Sequence, residues 1–292
     1  MFPRISWFSS PAELVAAAEP SRARMLGVED WITQERFREG WCVVCERAVT
    51  MTVFGGAMLG QYINLREGMV CQHCGINARS RLLYFASGEA FARSGARIAL
   101  LEHFSPLAAA ARRRWPQVVT SEYMQAGGEP GATLSRTLAD ASQASARHED
   151  LLRLSFGDGA LDGLVHNDVL EHVADVDAAL RECRRVLRPG GRLVFTMPWF
   201  PWLAHTKVRG RLRADGSLEE LLPTELHGDG LRKEGVYTFY NLGADLHDKL
   251  RTAGFAGRRY GVCYAPSLGF LSNNFRYGDD GLMMPTVLEA TA

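Results

Sequence analysis

The stretch HNDVLEHVADVDAALRECRRVLRPGGRLVFTMP, His166–Pro198, holds a strand end, a helix and a second strand in one run. Just upstream, ALDGLVHND is apolar from about Leu161 and closes on Asn167 and Asp168. In DVDAALRECRRVL, Val176, Leu180, Cys183 and Leu187 recur at helical spacing, the stripe of a helix lying on a sheet. Pro-Gly-Gly stops that helix, and RLVFTMP reads as the next strand. A strand, a helix and a strand joined by short turns form the unit of a parallel sheet.

The alternation extends in both directions. RIALLE reads as a strand ending at Glu102, and SPLAAAARRRW as a helix with Ser105 as N-cap and Pro106 in its first turn. QVVTSEY is a second strand, ending at Glu122. GADLHDKLRTAGF is a last helix with Gly254 as its left-handed terminator, leading to RRYGVCY. The expected fold class is α/β, with a doubly wound, mostly parallel sheet. Ligands of such sheets sit beyond the carboxyl ends of the strands, so Glu102, Glu122, Asn167 and Asp168 are expected at one cleft.

The totals narrow the function classes. Lys plus Arg equals Asp plus Glu, 33 each in 292 residues, so no net field draws the chain to nucleic acid or an anionic membrane. No apolar run approaches the roughly 20 residues of a membrane span. The opening MFPRISWFSSPAELVAAAEP makes a poor signal peptide, and a cytoplasmic protein is expected.

Four of the six cysteines form two C-x2-C knuckles, Cys42/Cys45 and Cys71/Cys74, separated by residues 46–70. Two such knuckles supply four thiolates to one tetrahedral ion, which suits structural zinc with no position open for catalysis. Disulfides are disfavoured in a cytosolic chain, and a redox C-x2-C would not be duplicated. Cys183 and Cys263 read as small buried apolar residues. Residues 11–40 read as helical with a break at Pro20. Arg66, Arg79 and Arg81 lie beside the knuckles, and a solvated or ion-paired role is expected for them. The organisation expected is a helical segment at 1–40, a zinc-ribbon module at 41–80, and an α/β domain at 81–292 with a lid insertion at about 199–240.

DVLEHVADVDAALRECRRVLRPGGRLVFTMPW resembles the segment after the fourth strand of class I S-adenosylmethionine-dependent methyltransferases. EDLLRLSFGDGALDGLV is similar to the segment before it, and TAGF to the end of a later helix; the likeness covers about Arg97–Tyr264. NLREGMVCQHCGINARSRLL, VVTSEYM and PTELHGD resemble a bacterial group of methyltransferase-like proteins with an N-terminal four-cysteine ribbon. The resemblance implies S-adenosylmethionine as cofactor. Glu122 would take the ribose hydroxyls, and Asp150 the adenine amine, with Leu151 offering its N–H. Asn167 and Asp168 would lie by the sulfonium, and Glu102 by the first cofactor loop. That loop, LEHFSPLA, carries no glycine, where the family usually lets backbone approach the cofactor.

The insertion holds His205, Lys207, Arg209, Arg211 and Arg213, then Glu225, His227, Tyr237 and Tyr240. An insertion after the fifth strand shapes substrate choice. Its basic run suggests an anionic substrate group held by His205, Arg209, Arg211, Tyr237 and Tyr240. His227 is the expected general base, with His172 as competitor and Asp168 as a third catalytic candidate. The function expected is methyl transfer to a small molecule, anionic or carrier-bound, in bacterial secondary metabolism. One alternative is a methyltransferase-like fold acting without methyl transfer, by intramolecular cyclisation with loss of an anionic leaving group or as a non-catalytic partner subunit. The other is an RNA methyltransferase gripping nucleic acid through its ribbon, which neutral charge and the lack of interleaved aromatics disfavour.

Overall fold

The computed structural model describes residues 4–54, 57–59, 62–92, 95–137, 142–229, 231–275 and 282–292. A seven-stranded sheet runs through the molecule in the order Ser6–Phe8, Gly257–Val262, Thr286–Thr291, Leu187–Thr196, Leu161–Asn167, Ile98–Leu100, Val119–Thr120. Leu161–Asn167 is parallel to both Leu187–Thr196 and Ile98–Leu100, and Ile98–Leu100 is parallel to Val119–Thr120. A parallel bridge between Glu122 and His148 brings a further segment to the outer edge. These parallel strands therefore lie in the spatial order third, second, first, fourth, fifth, that of a doubly wound fold.

Helices cover both faces. On one side Val176, Leu180 and Cys183 pack with Leu164, Leu193 and Phe195, as the stripe predicts, while the helix ends at Val186 and Leu187, expected as its last apolar residue, already begins the next strand ahead of Pro-Gly-Gly. On the other, Leu82, Leu83, Leu107 and Ala111 pack on Ile98, Val165 and Val194. The Ser105 cap and the Gly254 terminator are those read from the sequence, and Asp175 adds a cap that was not. Ser105 Oγ accepts the Ala108 N–H at 3.1 Å above the helix Pro106–Arg114. Asp175 caps Val176–Val186 by accepting the Ala178 N–H at 2.9 Å. Gly254, past the helix Leu246–Thr252, takes φ 94°.

Two features depart from the sequence reading. Thr286–Thr291 inserts between the fifth strand and Gly257–Val262 and runs antiparallel to both, and Ser6–Phe8 adds an antiparallel edge. The helical reading of 11–40 holds for Pro11–Ala18 and Arg22–Glu35, with Pro20 in a tight turn between them. It fails at Arg36, which turns left-handed at φ 65°, so that Phe37–Cys42 becomes a strand paired with Arg47–Val53. Gly40 permits that hairpin to approach the C-terminal part of the chain: a Cβ there would stand 2.5 Å from the Ser267 carbonyl oxygen. Among the described residues no helix is long and apolar enough to cross a membrane.

Candidate functional site

The knuckles converge. Cys42 Sγ lies 3.8 Å from Cys74 Sγ, Cys45 Sγ lies 3.9 Å from Cys71 Sγ, and all four sulfurs fall within 4.8 Å of one another. Those distances exclude disulfides, whose sulfurs are about 2.05 Å apart. They match a tetrahedral zinc site, in which Zn–S bonds of about 2.3 Å put the sulfurs about 3.8 Å apart. The Cys42 thiol is held down at about 5 by the hydrogen bond with Cys74, whereas burial pushes Cys45 up to about 12. Without a cation, four crowded thiols cannot all ionise. Beneath them Arg81 is fully buried, and its guanidinium donates to the carbonyls of Met69, Ile76 and Gly269. The four thiols lie close enough to this cation to perturb it, and it would offset the double negative charge of a zinc tetrathiolate.

The module reaches the strand ends. Arg66 sits on the short helix Leu65–Gly68, and Arg79 and Ser80 on Ala78–Ala90. Arg66 grips Asp168 with two hydrogen bonds of 2.7 Å, and Arg79 Nε stands 3.4 Å from Asp168 Oδ2. Glu67 completes a quartet by accepting from both arginines at 2.6–2.9 Å. Burial raises the Asp168 carboxyl, but the two arginines overcome it and hold the group well below the usual carboxylate range. Asp168 also adopts φ 51°, a strained backbone for a non-glycine residue. The two arginines are thus ion-paired, as expected; Arg66 is buried, 3% exposed, and Arg79 half-buried. Asp168, expected among the catalytic residues, is fully engaged in this pairing.

Asn167 Nδ2 donates to Ser80 Oγ at 2.9 Å and to Glu102 Oε2 at 3.1 Å. Glu102 is pushed up by burial. Phe104 does not turn into the cleft: it is 38% exposed, edge-on to His103 at 5.0 Å. Glu122 stays half-buried, accepting from the His103 N–H at 3.3 Å and from the Tyr123 N–H at 3.2 Å. The Glu122–His148 bridge sets Asp150 two residues beyond the adjoining segment; its carboxylate accepts the Leu152 N–H at 2.9 Å. Leu151 is buried in the core.

The insertion forms short antiparallel pairs, among them Gly210–Leu212 with Leu218–Glu220 and Leu226–Asp229 with Arg232–Tyr237. They arch over the strand ends. Phe239 N–H donates to the Glu171 carbonyl at 2.7 Å, Tyr240 Oη to the Ala174 carbonyl at 2.5 Å, and Arg232 to the Tyr123 carbonyl at 2.8 Å. The lid therefore joins the loop after the second strand to the turn after the fourth.

Under this lid His172 and His227 meet, their rings at right angles with centroids 5.0 Å apart. Glu171 lies between them. Its Oε1 is 3.6 Å from His172 Nε2 and 3.9 Å from His227 Nδ1. The Glu171 side chain is fully buried, neither oxygen has a hydrogen-bond partner, and burial pushes its carboxyl upward. Arg209 borders the group, pairing with Glu225 at 3.1 Å and bonding Asn241 and the Pro223 carbonyl. Tyr237 Oη donates to the Arg209 carbonyl at 3.1 Å.

The expected anion-binding run does not converge. Arg211 is exposed on the outer hairpin and paired with Glu219 at 2.6 Å, Arg213 reaches the same carboxylate, and His205 stands exposed. Side chains two apart share a face of a strand, and the face shared by Arg211 and Arg213 is the outer one, where both are exposed and reach Glu219. Sequence reasoning named Glu225 in the insertion but gave neither it nor Glu171 a role. The signal was an acid next to or two residues before each histidine, in LEH and ELH.

The sequence model described as a methyltransferase domain matches residues 127–195. A demethylmenaquinone methyltransferase of Mycolicibacterium paratuberculosis is 32% identical over 114 residues, 38% of this chain and 49% of that protein. An arsenite methyltransferase of Aquipseudomonas alcaligenes is 46% identical over 48 residues, 16% of this chain and 14% of that protein. The matched segments span about half or less of these curated relatives. Among solved structures, an S-adenosylmethionine dependent methyltransferase from Mesorhizobium loti aligns with a TM-score of 0.39 at 16% identity, over 72% of this chain and 98% of that one. The chain thus carries a segment, residues 127–195, that matches a methyltransferase domain, within a sheet of doubly wound strand order and beside a four-cysteine cluster that fits a zinc ribbon.

Proposed function

We propose that the protein transfers a methyl group from S-adenosylmethionine to a small molecule held under the lid. The observation that carries this reading is the pairing of Glu122 with the segment leading to Asp150, which sets two carboxylates at neighbouring strand ends. A carboxylate accepts two O–H donors at once, so Glu122 suits a ribose diol; Asp150 suits an adenine amine, with Leu151 beside it. Glu102 and Asn167 lie at the other end, toward the methyl-bearing sulfur. When bound, the cofactor supplies an electrophilic methyl group on a sulfonium. The chain's part is to hold the acceptor in line, exclude water with the lid, and activate the nucleophile. That last task falls to the Glu171–His172–His227 group, to which His227, the base expected from the sequence, belongs. Zinc at Cys42, Cys45, Cys71 and Cys74 would be structural, with no open position.

The glycine-free loop at Glu102–Leu107 and the capping of Asp168 by Arg66 favour one second reading, a methyltransferase-like fold that has given up methyl transfer. Calorimetry with S-adenosylmethionine and its demethylated product separates the two. Sub-millimolar binding of both supports transfer. Silence at millimolar ligand overturns it and leaves the second reading.

A further inference from the structure

We infer that Glu171, His172 and His227 form a second metal site, for a divalent transition-metal ion, distinct from the four cysteines. Their ligand atoms lie within 4.8 Å of one another. A metal ion with N and O ligands at about 2.0–2.2 Å would need neighbouring donors roughly 3–3.5 Å apart. Glu171 stands 3.6 and 3.9 Å from the two ring nitrogens, within a few tenths of an ångström of that range, and the two rings' own ligand atoms lie no more than 4.8 Å apart, a gap that small side-chain rotations close.

The tautomers follow from the partners. His172 Nδ1 lies 2.8 Å from the Tyr237 carbonyl oxygen, which only accepts, so that nitrogen carries the proton. His227 Nε2 lies 3.0 Å from Glu225 Oε1, a carboxyl held below its usual range by that hydrogen bond first and by Arg209 at 3.1 Å as well, so that nitrogen is the donor too. In each neutral ring the remaining lone pair, on His172 Nε2 and His227 Nδ1, faces Glu171. A carbonyl behind one imidazole and a carboxylate behind the other is the outer shell that metal-binding histidines use to fix their ring and raise their basicity.

Glu171 supplies the independent observation. A carboxylate with both oxygens buried and no hydrogen-bond donor is costly unless it is protonated or meets a cation. Two imidazole lone pairs beside it add electron density and no positive charge. An ion between the three groups satisfies all of them at once.

Two nitrogens and one carboxylate oxygen suit zinc, iron(II), manganese(II), cobalt(II) or nickel(II) better than magnesium or calcium. Three protein ligands leave positions open, and the cluster is reachable from the lid side, where the His227 side chain is 30% exposed. An acceptor hydroxyl or carboxylate oxygen could occupy one of them. Bound there, a hydroxyl would pass its proton to water more readily, and the alkoxide would take the methyl of S-adenosylmethionine as the C–S bond breaks and the neutral thioether leaves. This role rests on the proposed methyl transfer; the binding of the ion does not.

The test uses the full chain with its cysteine site filled by zinc and excess metal removed by a chelator of moderate strength. Cobalt(II) or manganese(II) is then titrated, with calorimetry and elemental analysis as readouts and no S-adenosylmethionine present. One further equivalent should bind to the wild type. Glu171→Gln and His227→Ala should each weaken it at least tenfold, and Glu225→Gln by about 10- to 100-fold as an outer-shell change. His227 is on the lid and partly exposed, so its variant remains informative if the buried Glu171→Gln fails to fold. No second equivalent below millimolar metal, or equal binding by wild type and His227→Ala, overturns the site. Either result leaves the calorimetry with S-adenosylmethionine untouched, so the two readings fail separately.

Discussion

At the scale of single residues, the strand ends decide the chemistry. Glu122 keeps a half-exposed carboxylate that accepts the backbone N–H groups of His103 and Tyr123. Glu122→Ala should weaken S-adenosylmethionine binding at least tenfold, about 1.4 kcal/mol, with little change in melting temperature. Unchanged affinity in calorimetry would remove the ribose assignment. A different residue governs the response to acid. His166 is fully buried on the fourth strand, its ring tilted 32° to that of Phe195 with centroids 4.8 Å apart, and neither ring nitrogen is hydrogen-bonded. Burial pulls it down from 6.5 to about 3. The unfolded chain therefore takes up a proton below pH 6.5 that the folded chain refuses until about pH 3. Stability should fall through that window by up to about 1.4 kcal/mol per pH unit from this one ring. His166→Phe should flatten the slope of urea-derived stability between pH 6.5 and 4.5. An equally steep slope in the variant would assign the acid sensitivity to other groups.

At the scale of elements, legibility follows the range of the interaction. The stripe Val176–Leu180–Cys183, the Ser105 cap and the two knuckles are local patterns, and each appears in the structure where the sequence puts it. Thr286–Thr291 carries no such mark of direction: TVLEAT reads as a strand either way, and only its neighbours on both sides make it antiparallel. The Glu171 group was hidden for a similar reason. Its members come from the turn after the fourth strand and from a lid hairpin, and the lid's own hydrogen bonds bring them together. The zinc module was legible as a ligand set, but the pairing of its Arg66 and Arg79 with Asp168 was not. Its dependence on metal is directly testable. The hairpin Phe37–Val53 and the strand Met69–Cys71 have Met51, Val53 and Met69 as their own small core, packed around the sulfurs. Cys42→Ser should lose one equivalent of zinc by elemental analysis. It should also lower the melting temperature by roughly 10 °C, several kcal/mol of metal-coupled folding in a chain of this size. Loss of the metal with an unchanged melting temperature would deny the site a structural role.

At the scale of the whole molecule, the ribbon is more than an appendage, because its charges close the carboxyl end of the fourth strand. Arg66 and Asp168 are 102 residues apart in sequence and meet in a bidentate pair with little solvent access. Such a pair is weak evidence of net stabilisation, since desolvating both charges offsets most of their attraction, yet breaking one side strands the other. Asp168→Asn keeps a residue that tolerates the left-handed backbone at this position but leaves Arg66 with Glu67 alone. It should cost about 3–5 kcal/mol in urea unfolding at pH 7. Arg66→Met leaves Asp168 near Arg79 and should cost less. The double variant should be more stable than the sum of the singles implies, with a coupling on the order of 1–3 kcal/mol. Because the Asp168 carboxyl is depressed in the fold, its contribution is present above about pH 4 and is lost as the pH falls below the unfolded value near 3.9. The gap between wild type and Asp168→Asn should therefore hold from pH 7 to 4 and shrink below. Zinc content measured on the same samples should stay at one equivalent in the cysteine site, locating the damage at the docking surface. Additive single and double variants would mean that the ribbon and the sheet stand side by side without energetic contact through this pair.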